Sequence, residues 1–361
     1  MSVEEKLKLI DQVGEEIIGR DELIDLLQKN REVFAYDGFE PSGQIHIAQG
    51  LLRAININKL TKAGIRFKML VADWHALANN KLGGDLEKIQ TTGKYFIEVW
   101  KACGMDLKNV EFVWASELQK EKDYWKLVLQ VGKSNALKRF VRTAEMMGRD
   151  ESLDKLTGAH IIYSCMQVAD IFMLNASITQ LGMDQRKVNM LAREIGPQLG
   201  FYKPVVISHH MLLGLGKPPS TDSHEDKVKR TIELKMSKSH PDSAIFMTDT
   251  TDDIKRKIQK AWAPEGEIKE NPVLEYCRYI LFEKFDEVKI SRPDKFGGDV
   301  SYKNYADLEK DYHEKKLHPM DLKVTVIKLL DELLTPVRRH FEENKEAKNL
   351  LNKVQSFQIT R

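Results

Sequence analysis

The chain has 361 residues, 42% hydrophobic and 30% charged, which excludes a disordered chain and suits a folded protein of two domains. Its 56 Lys and Arg against 54 Asp and Glu leave a net charge of +2, so any polyanion contact must be a local patch. No apolar run approaches the ~18 residues of a membrane span, and the acidic start "MSVEEKLKLIDQV" has no secretory-signal pattern. Cys103, Cys165 and Cys277 are too dispersed for a disulfide framework or a zinc site and suit a reducing, cytoplasmic compartment.

In chain order, residues 1–30 read as two amphipathic helices, around "EEKLKLIDQVGEEII" and "RDELIDLLQK". "EVFAY" follows as a short apolar strand. A Gly/Pro/Ser loop comes next, then "GLLRAININKLTKAG" with helical periodicity and Gly64 placed to end it. "IRFKMLVAD", "NVEFVWAS" and "KPVVISHH" read as further strands. The first is apolar on both faces, as a buried parallel strand is. This alternation predicts an α/β domain over residues 31–232, built on a doubly wound parallel sheet. Residues 233–263 read as a loop and linker. "NPVLEYCRYILFEKF", "SYKNYADLEKDYHEKK" and "DLKVTVIKLLDELLTPVRRHFEEN" predict a mainly helical domain over 264–361. Its long helix should pack Leu322, Val326, Leu329, Leu330 and Leu333 inward. The closing "NKEAKNLLNKVQSFQITR" reads as a helix or as a frayed tail.

Three stretches carry chemistry. The loop after the first parallel strand holds Tyr36, Gly38, Gly43, His46 and Gln49. Ligands sit at the carboxyl ends of such strands, and the next helix offers free N–H groups to phosphate. Alone, the loop reads more readily as a plain turn; it is neither a Walker A sequence nor a G-x-G-x-x-G fingerprint. "TIELKMSKSH" holds Lys235, Ser237, Lys238 and Ser239. These donors suit a triphosphate and a departing pyrophosphate, or simply a solvated basic loop. "YSCMQVADI" places Tyr163, Gln167 and Asp170 at i, i+4 and i+7, on one helix face. That face lines either a pocket for a polar aromatic ligand or a buried structural network.

The first two stretches together resemble the two signatures of class I aminoacyl-tRNA synthetases. Lys235 to Ser239 matches Lys-Met-Ser-Lys-Ser in full. His46-Ile47-Ala48-Gln49 keeps the leading histidine of His-Ile-Gly-His and departs at its third and fourth positions. "AYDGFEPSG", "VADWHA", "YSCMQVADI", "LGMDQRK", "LKMSKS", "KFGGD" and "HPMDLK" run in order from residue 35 to 323. They resemble tyrosyl-tRNA synthetases of the archaeal and eukaryotic type. The resemblance implies a Rossmann-like catalytic domain with a helical insertion at about 118–160, then a helical anticodon-binding domain. It implies formation of tyrosyl-adenylate from L-tyrosine and ATP, then transfer to the 3′ end of tRNA(Tyr).

It also implies roles by position. Tyr36 and Asp170 would hold the substrate phenol, and Tyr163, Gln167 and Gln185 its ammonium group. Asp73 and His75 would line the same pocket or support it. His46, Lys235 and Lys238 would serve the triphosphate, with Gly38, Gly43, Gln49, Ser237 and Ser239 around the nucleotide. Asp184 would accept from the ribose, and Met211 and Leu212 would flank the adenine. Mg²⁺ would come with ATP, held mainly by phosphate oxygens and water, with no metal site of the protein's own. Arg186 and Lys187 would face the first base pair of the acceptor stem, the alternative being surface ion pairs. Phe296 and His318 would stack on an anticodon base, and Asp321 would accept from a guanine edge. A homodimer is implied, with its interface expected in "YWKLVLQVGKSNALKRFVRTAEMMG".

Overall fold

The computed structural model describes residues 1–29, 32–143, 156–219, 230, 233–236 and 241–357. Six strands form one sheet: β1 (Gly14–Ile18), β2 (Phe34–Phe39), β3 (Arg66–Val71), β4 (Val110–Trp114), β5 (Ile178–Thr179) and β6 (Val205–His209). Their order is β1-β6-β5-β2-β3-β4. All neighbours are parallel except β1, which runs antiparallel along β6. The chain therefore winds from β2 outward to β4, then returns to the other side of β2 with β5 and β6. The reversal opens a crevice at the carboxyl ends of β2 and β5.

The helices of this part are α1 (Val3–Asp11), α2 (Arg20–Gln28), α3 (Leu51–Lys62), α4 (Asp73–Ala78), α5 (Leu86–Ala102), α6 (Ala115–Leu118), α7 (Tyr124–Ser134), α8 (Leu137–Thr143), α9 (Gly158–Met173) and α10 (Arg186–Ile195). Helix α1 starts on a Ser2/Glu5 capping box. Helix α3 ends as its sequence predicts, with Gly64 at φ +86° just past the cap. One apolar core backs the sheet through α3 and α5 (Ile55, Leu60, Phe96, Trp100), and a second fills the other face through α7, α9 and α10 (Leu127, Val168, Leu191).

Two strands depart from the sequence reading. The sequence places "GEEII" in the first helix, but α1 stops at Asp11 and these residues form β1. What decides it is tertiary: β6 offers an open edge, and Ile17 and Ile18 pair with Ile207 and Val206. The first thirty residues are thus helix, strand, helix. Strand β5 is only two residues long, too short for any periodicity to reveal.

The insertion appears as α7 and α8, and its residues 144–155 lie outside the described part. Beyond it, helices span Thr251–Lys260, Pro272–Tyr276 continuing through the π-helical Cys277–Leu281, Tyr305–His313, Pro319–Glu343 and Lys345–Ser356. A short antiparallel ribbon, Val288–Ile290 with Val300–Tyr302, was not anticipated. Leu322, Val326 and Leu330 are fully buried, with Leu329 and Leu333 partly buried against the same core. That core is continuous with the one behind the sheet, through Met247, Ile254 and Tyr276. The last helix is ordered rather than frayed and packs on α5, where His340 Nε2 also meets Glu98 Oε2 at 2.8 Å. Among the described residues no helix is long and apolar enough to cross a membrane.

Candidate active site

The crevice has two sides. On the first, β2 supplies Tyr36, and one face of α9 supplies Tyr163, Gln167 and Asp170, as their spacing predicts. The turn Met183–Gln185 adds Gln185, whose Oε1 accepts from Gln167 Nε2 at 3.0 Å. Asp170 is fully buried. Tyr124 Oη, from α7, donates to its Oδ1 at 2.7 Å, and His75 Nε2 lies 2.9 Å from its Oδ2 without hydrogen-bond alignment. Burial works against charging His75, but the Asp170 carboxylate outweighs it and the pKa is raised. His75 meets Tyr163 edge-on at 5.0 Å.

Beside His75, three further buried polar atoms converge here with no hydrogen bond from the described residues: Tyr36 Oη, Gln167 Oε1 and Asp170 Oδ2. Buried polar groups are almost always satisfied, so a cluster of orphans from β2 and α9 marks the place of a polar ligand. Burial, with the nearby Asp170 and Asp37 charges, pushes the Tyr36 phenol well above its ordinary pKa, so it stays a neutral donor. Burial does the same to Tyr163, reinforced by the Glu40 carboxylate beside it. Glu40 is itself pinned by Asn79 Nδ2 at 3.0 and 3.1 Å. Asp73 differs. Its oxygens accept from Trp74 N, Ser116 N and Gln90 Nε2 at 2.9–3.0 Å, so it joins the ends of β3 and β4.

The second side is assembled by backbone pairing. Ile47 N donates to Ile245 O at 2.8 Å and Met247 N to Ile45 O at 3.0 Å, with His46 bridged to Phe246 between them. Gly50 belongs to this contact, since a Cβ there would stand 2.5 Å from Met247 Sδ. Gly43 turns the loop at φ +122°, a conformation that favours glycine. Gln49 leaves its Oε1 buried without a hydrogen bond from the described residues, while its carbonyl accepts from Trp100 Nε1 at 2.8 Å. Gly38 lies on β2, where an added Cβ would meet only ordinary contact with Leu70 at 3.6 Å.

Lys235 pairs with Leu213, and its Nζ reaches Asp184 Oδ2 at 2.8 Å. Its neighbour Met236 is buried in the core. Ser237, Lys238 and Ser239 lie outside the described residues. Met211 is half-buried and lies over Gly182 beside Asp184. Leu212 is buried in the same core as Met236.

Residues 28–335 match the family model described as tRNA synthetases class I (W and Y), the tryptophan and tyrosine enzymes. The chain belongs to this family. It is 47% identical to tyrosine–tRNA ligase 1, cytoplasmic, of Arabidopsis thaliana, over 99% of this chain and 90% of that one. It is 42% identical to the tyrosine–tRNA ligase of Thermococcus sibiricus, over 98% and 99% of the two chains. The crystal structure of tyrosyl-tRNA synthetase complexed with L-tyrosine from Pyrococcus horikoshii has a TM-score of 0.90 at 38% identity, covering 98% of this chain and 100% of that one.

For this synthetase the remaining predicted residues fall at two places. Arg186 and Lys187 open α10, and Arg186 Nε donates to Glu16 Oε2 of β1 at 2.7 Å. Phe296 ends the short turn Asp294–Phe296. His318 caps the helix Pro319–Glu343, accepting from Met320 N at 3.2 Å, and Asp321 follows in its first turn. Arg292 ties these two segments together, donating to Gly298 O and Lys316 O at 2.9 Å each.

The sequence reading missed Tyr124, Glu40 and a buried network beneath the crevice. In that network Arg53 Nε lies 3.1 Å from Asp37 Oδ2, and Arg53 Nη2 donates to Gln180 Oε1 at 2.6 Å. His209 completes it, and burial with the Arg53 charge keeps it neutral. Burial pushes the Asp37 carboxyl up to about 7 while Arg53 pulls against it. The available signal was a charged residue inside an apolar element: Asp37 in "FAYDGF" and Arg53 in "LLRAININ".

Proposed function

We infer that the chain is a tyrosine–tRNA ligase, activating L-tyrosine with ATP and transferring tyrosyl to the 3′ end of tRNA(Tyr). The observation that carries this is the orphaned trio Tyr36 Oη, Asp170 Oδ2 and Gln167 Oε1. A substrate hydroxyl satisfies the first two, and its ammonium group satisfies the third along with Tyr163 and Gln185. Glu40, beside Tyr163, adds the negative charge that an ammonium group calls for. Phenylalanine would leave Tyr36 Oη and Asp170 Oδ2 without a hydrogen bond, and that is how a site rejects a substrate lacking one hydroxyl.

The substrate carboxylate attacks the α-phosphate of ATP. The bond to the β-phosphate oxygen breaks, and pyrophosphate leaves with the electron pair. The terminal ribose hydroxyl of the tRNA then attacks the adenylate carbonyl, and AMP leaves. No protein nucleophile takes part; positioning and charge stabilisation do the work. We assign the triphosphate to His46, Lys235 and Lys238, with Gly38, Gly43, Gln49, Ser237 and Ser239 around the nucleotide. Asp184 takes the ribose, exchanging Lys235 for it, and Met211 takes the adenine. Mg²⁺ arrives with ATP, held by phosphate oxygens and water, and neutralises phosphate charge. Among the described residues no trio of His, Cys, Asp or Glu is grouped to hold it.

We further assign the acceptor stem to Arg186 and Lys187, and an anticodon base to Phe296, His318 and Asp321. Residues 31–232 are then the catalytic domain and 264–361 the anticodon-binding domain. A homodimer interface is assigned to α7–α9, where Trp125, Leu129, Leu137 and Ile162 are exposed. We place the enzyme in the cytoplasm, as its Arabidopsis relative is named. The test is ATP–pyrophosphate exchange with each amino acid in turn. Exchange with tyrosine is expected; exchange with none, or with tryptophan alone, overturns the reading.

A further inference from the structure

One side chain outside the crevice joins three elements to the platform beneath Lys235. His210 directly follows β6. Its Nδ1 is hydrogen-bonded to Glu15 Oε2 of β1 at 3.2 Å. Its Nε2 lies 3.0 Å from Glu275 Oε1, on the Pro272–Tyr276 helix, as an ion pair without hydrogen-bond alignment. Its ring stacks on Tyr279 at 4.3 Å and 11° between planes. A carboxylate stands within 3.2 Å of each ring nitrogen, and two such anions favour a charged ring, so it is an imidazolium. Burial opposes that charge, but Glu15 and Glu275 outweigh it and push the pKa up to about 9. The other charged or titratable groups around it are Arg278, over the Tyr279 ring at 5.2 Å, and the neutral His209.

Glu275 has a second oxygen, which accepts from the Leu213 N–H at 3.0 Å. Leu213 is bridged to Lys235, and Gly214 N donates to Leu234 O at 2.7 Å. A carboxylate from the helical domain therefore holds the platform on which Lys235 lies, and His210 holds that carboxylate. Without the imidazolium, Glu15 and Glu275 would face the same space with no cation between them. Their repulsion would draw Glu275 off Leu213.

We propose that His210 is a positioning residue for the nucleotide half of the reaction, setting through Glu275 and Leu213 where Lys235 stands against the ATP phosphates. This rests on the tyrosine–tRNA ligase reading, so the wild-type chain is assayed first. If wild type shows no tyrosine-dependent exchange, the ligase reading itself falls. If wild type exchanges and the variants match it, only the clamp falls.

His210→Gln is expected to raise the KM for ATP roughly tenfold and to leave the KM for tyrosine within about twofold, the scale of losing a charge-assisted contact. Adding Glu15→Gln should recover part of the loss by removing the repulsion. Equal rises in both KM values, or none, overturn the proposal. If His210→Gln does not fold, Glu275→Gln serves, since its amide oxygen can still accept from Leu213 while the ion pair is gone. A rise of roughly threefold in the ATP KM is expected from it, and an unchanged value overturns the proposal. The folded pKa of His210 lies above its ordinary 6.5, so the clamp is complete below that and is lost as pH rises through about 9. The gap in ATP KM between wild type and either variant should close across that window; a gap that persists above it overturns the proposal.

Discussion

The side of the crevice assigned to tyrosine is built from side chains on rigid elements, while the side assigned to the nucleotide is built from backbone segments paired with one another. On the first, Asp170 sits mid-helix, held by Tyr124 and flanked by His75. On the second, Ile45–Ile47 pairs with Ile245–Met247, and Leu213 with Lys235. The first arrangement leaves polar atoms unsatisfied inside a fixed frame, which serves selectivity. The second satisfies its backbone by pairing and rests Lys235 on Asp184, leaving Gln49 Oε1 unmet, and must exchange contacts when a nucleotide arrives. Substrate choice and phosphate chemistry are thus separable, and substitutions on one side should leave the other largely intact.

The largest separation is expected from Asp170→Asn. Preference for tyrosine over phenylalanine in pyrophosphate exchange should fall by roughly 10²–10³, because a site built on a hydroxyl partner loses its means of rejection. The KM for ATP should hold. Unchanged discrimination would remove Asp170 from the phenol. Next comes Lys235→Ala, expected to lower kcat of exchange about 10²-fold, the scale of removing one preorganised charge-stabilising group. The KM for tyrosine should stay put; a matching rise would mean that the two sides are coupled after all.

The same comparison explains what could be read in the sequence. The parallel strands β2, β3, β4 and β6 announce themselves as apolar runs, and Tyr163, Gln167 and Asp170 share a face because helical spacing is local. Strand β1 exists because β6 has a free edge, and no local pattern carries that. Tyr124 enters from the insertion, 46 positions away from Asp170, and its preceding residues show nothing that marks it for the pocket. Met211 and Leu212 are adjacent and chemically alike, yet packing buries Leu212 and leaves Met211 half-buried. Arg53 and Asp37 did carry a signal, a charge in an apolar element, but each needs the other in space before it makes sense.

Tyr124→Phe probes that unforeseen contact. It removes the hydroxyl that donates to Asp170 at 2.7 Å and keeps the ring. The KM for tyrosine should rise roughly tenfold, as for a buried hydrogen bond to a charged group, with the ATP KM unchanged. An unaffected tyrosine KM would mean that His75 and packing alone orient Asp170.

The smallest effect should come from Glu16→Gln, which extends the comparison to the second step. Arg186, assigned to the acceptor stem, is held by Glu16 at 2.7 Å on a partly exposed surface. Incoming RNA must displace that carboxylate, and such a pair contributes little, so freeing Arg186 should lower the KM for tRNA by about two- to threefold. Pyrophosphate exchange does not involve tRNA and should not change. If the tRNA KM instead rises, Glu16 is orienting Arg186 for its contact, and β1 belongs to the tRNA surface as more than a cover for the edge of β6.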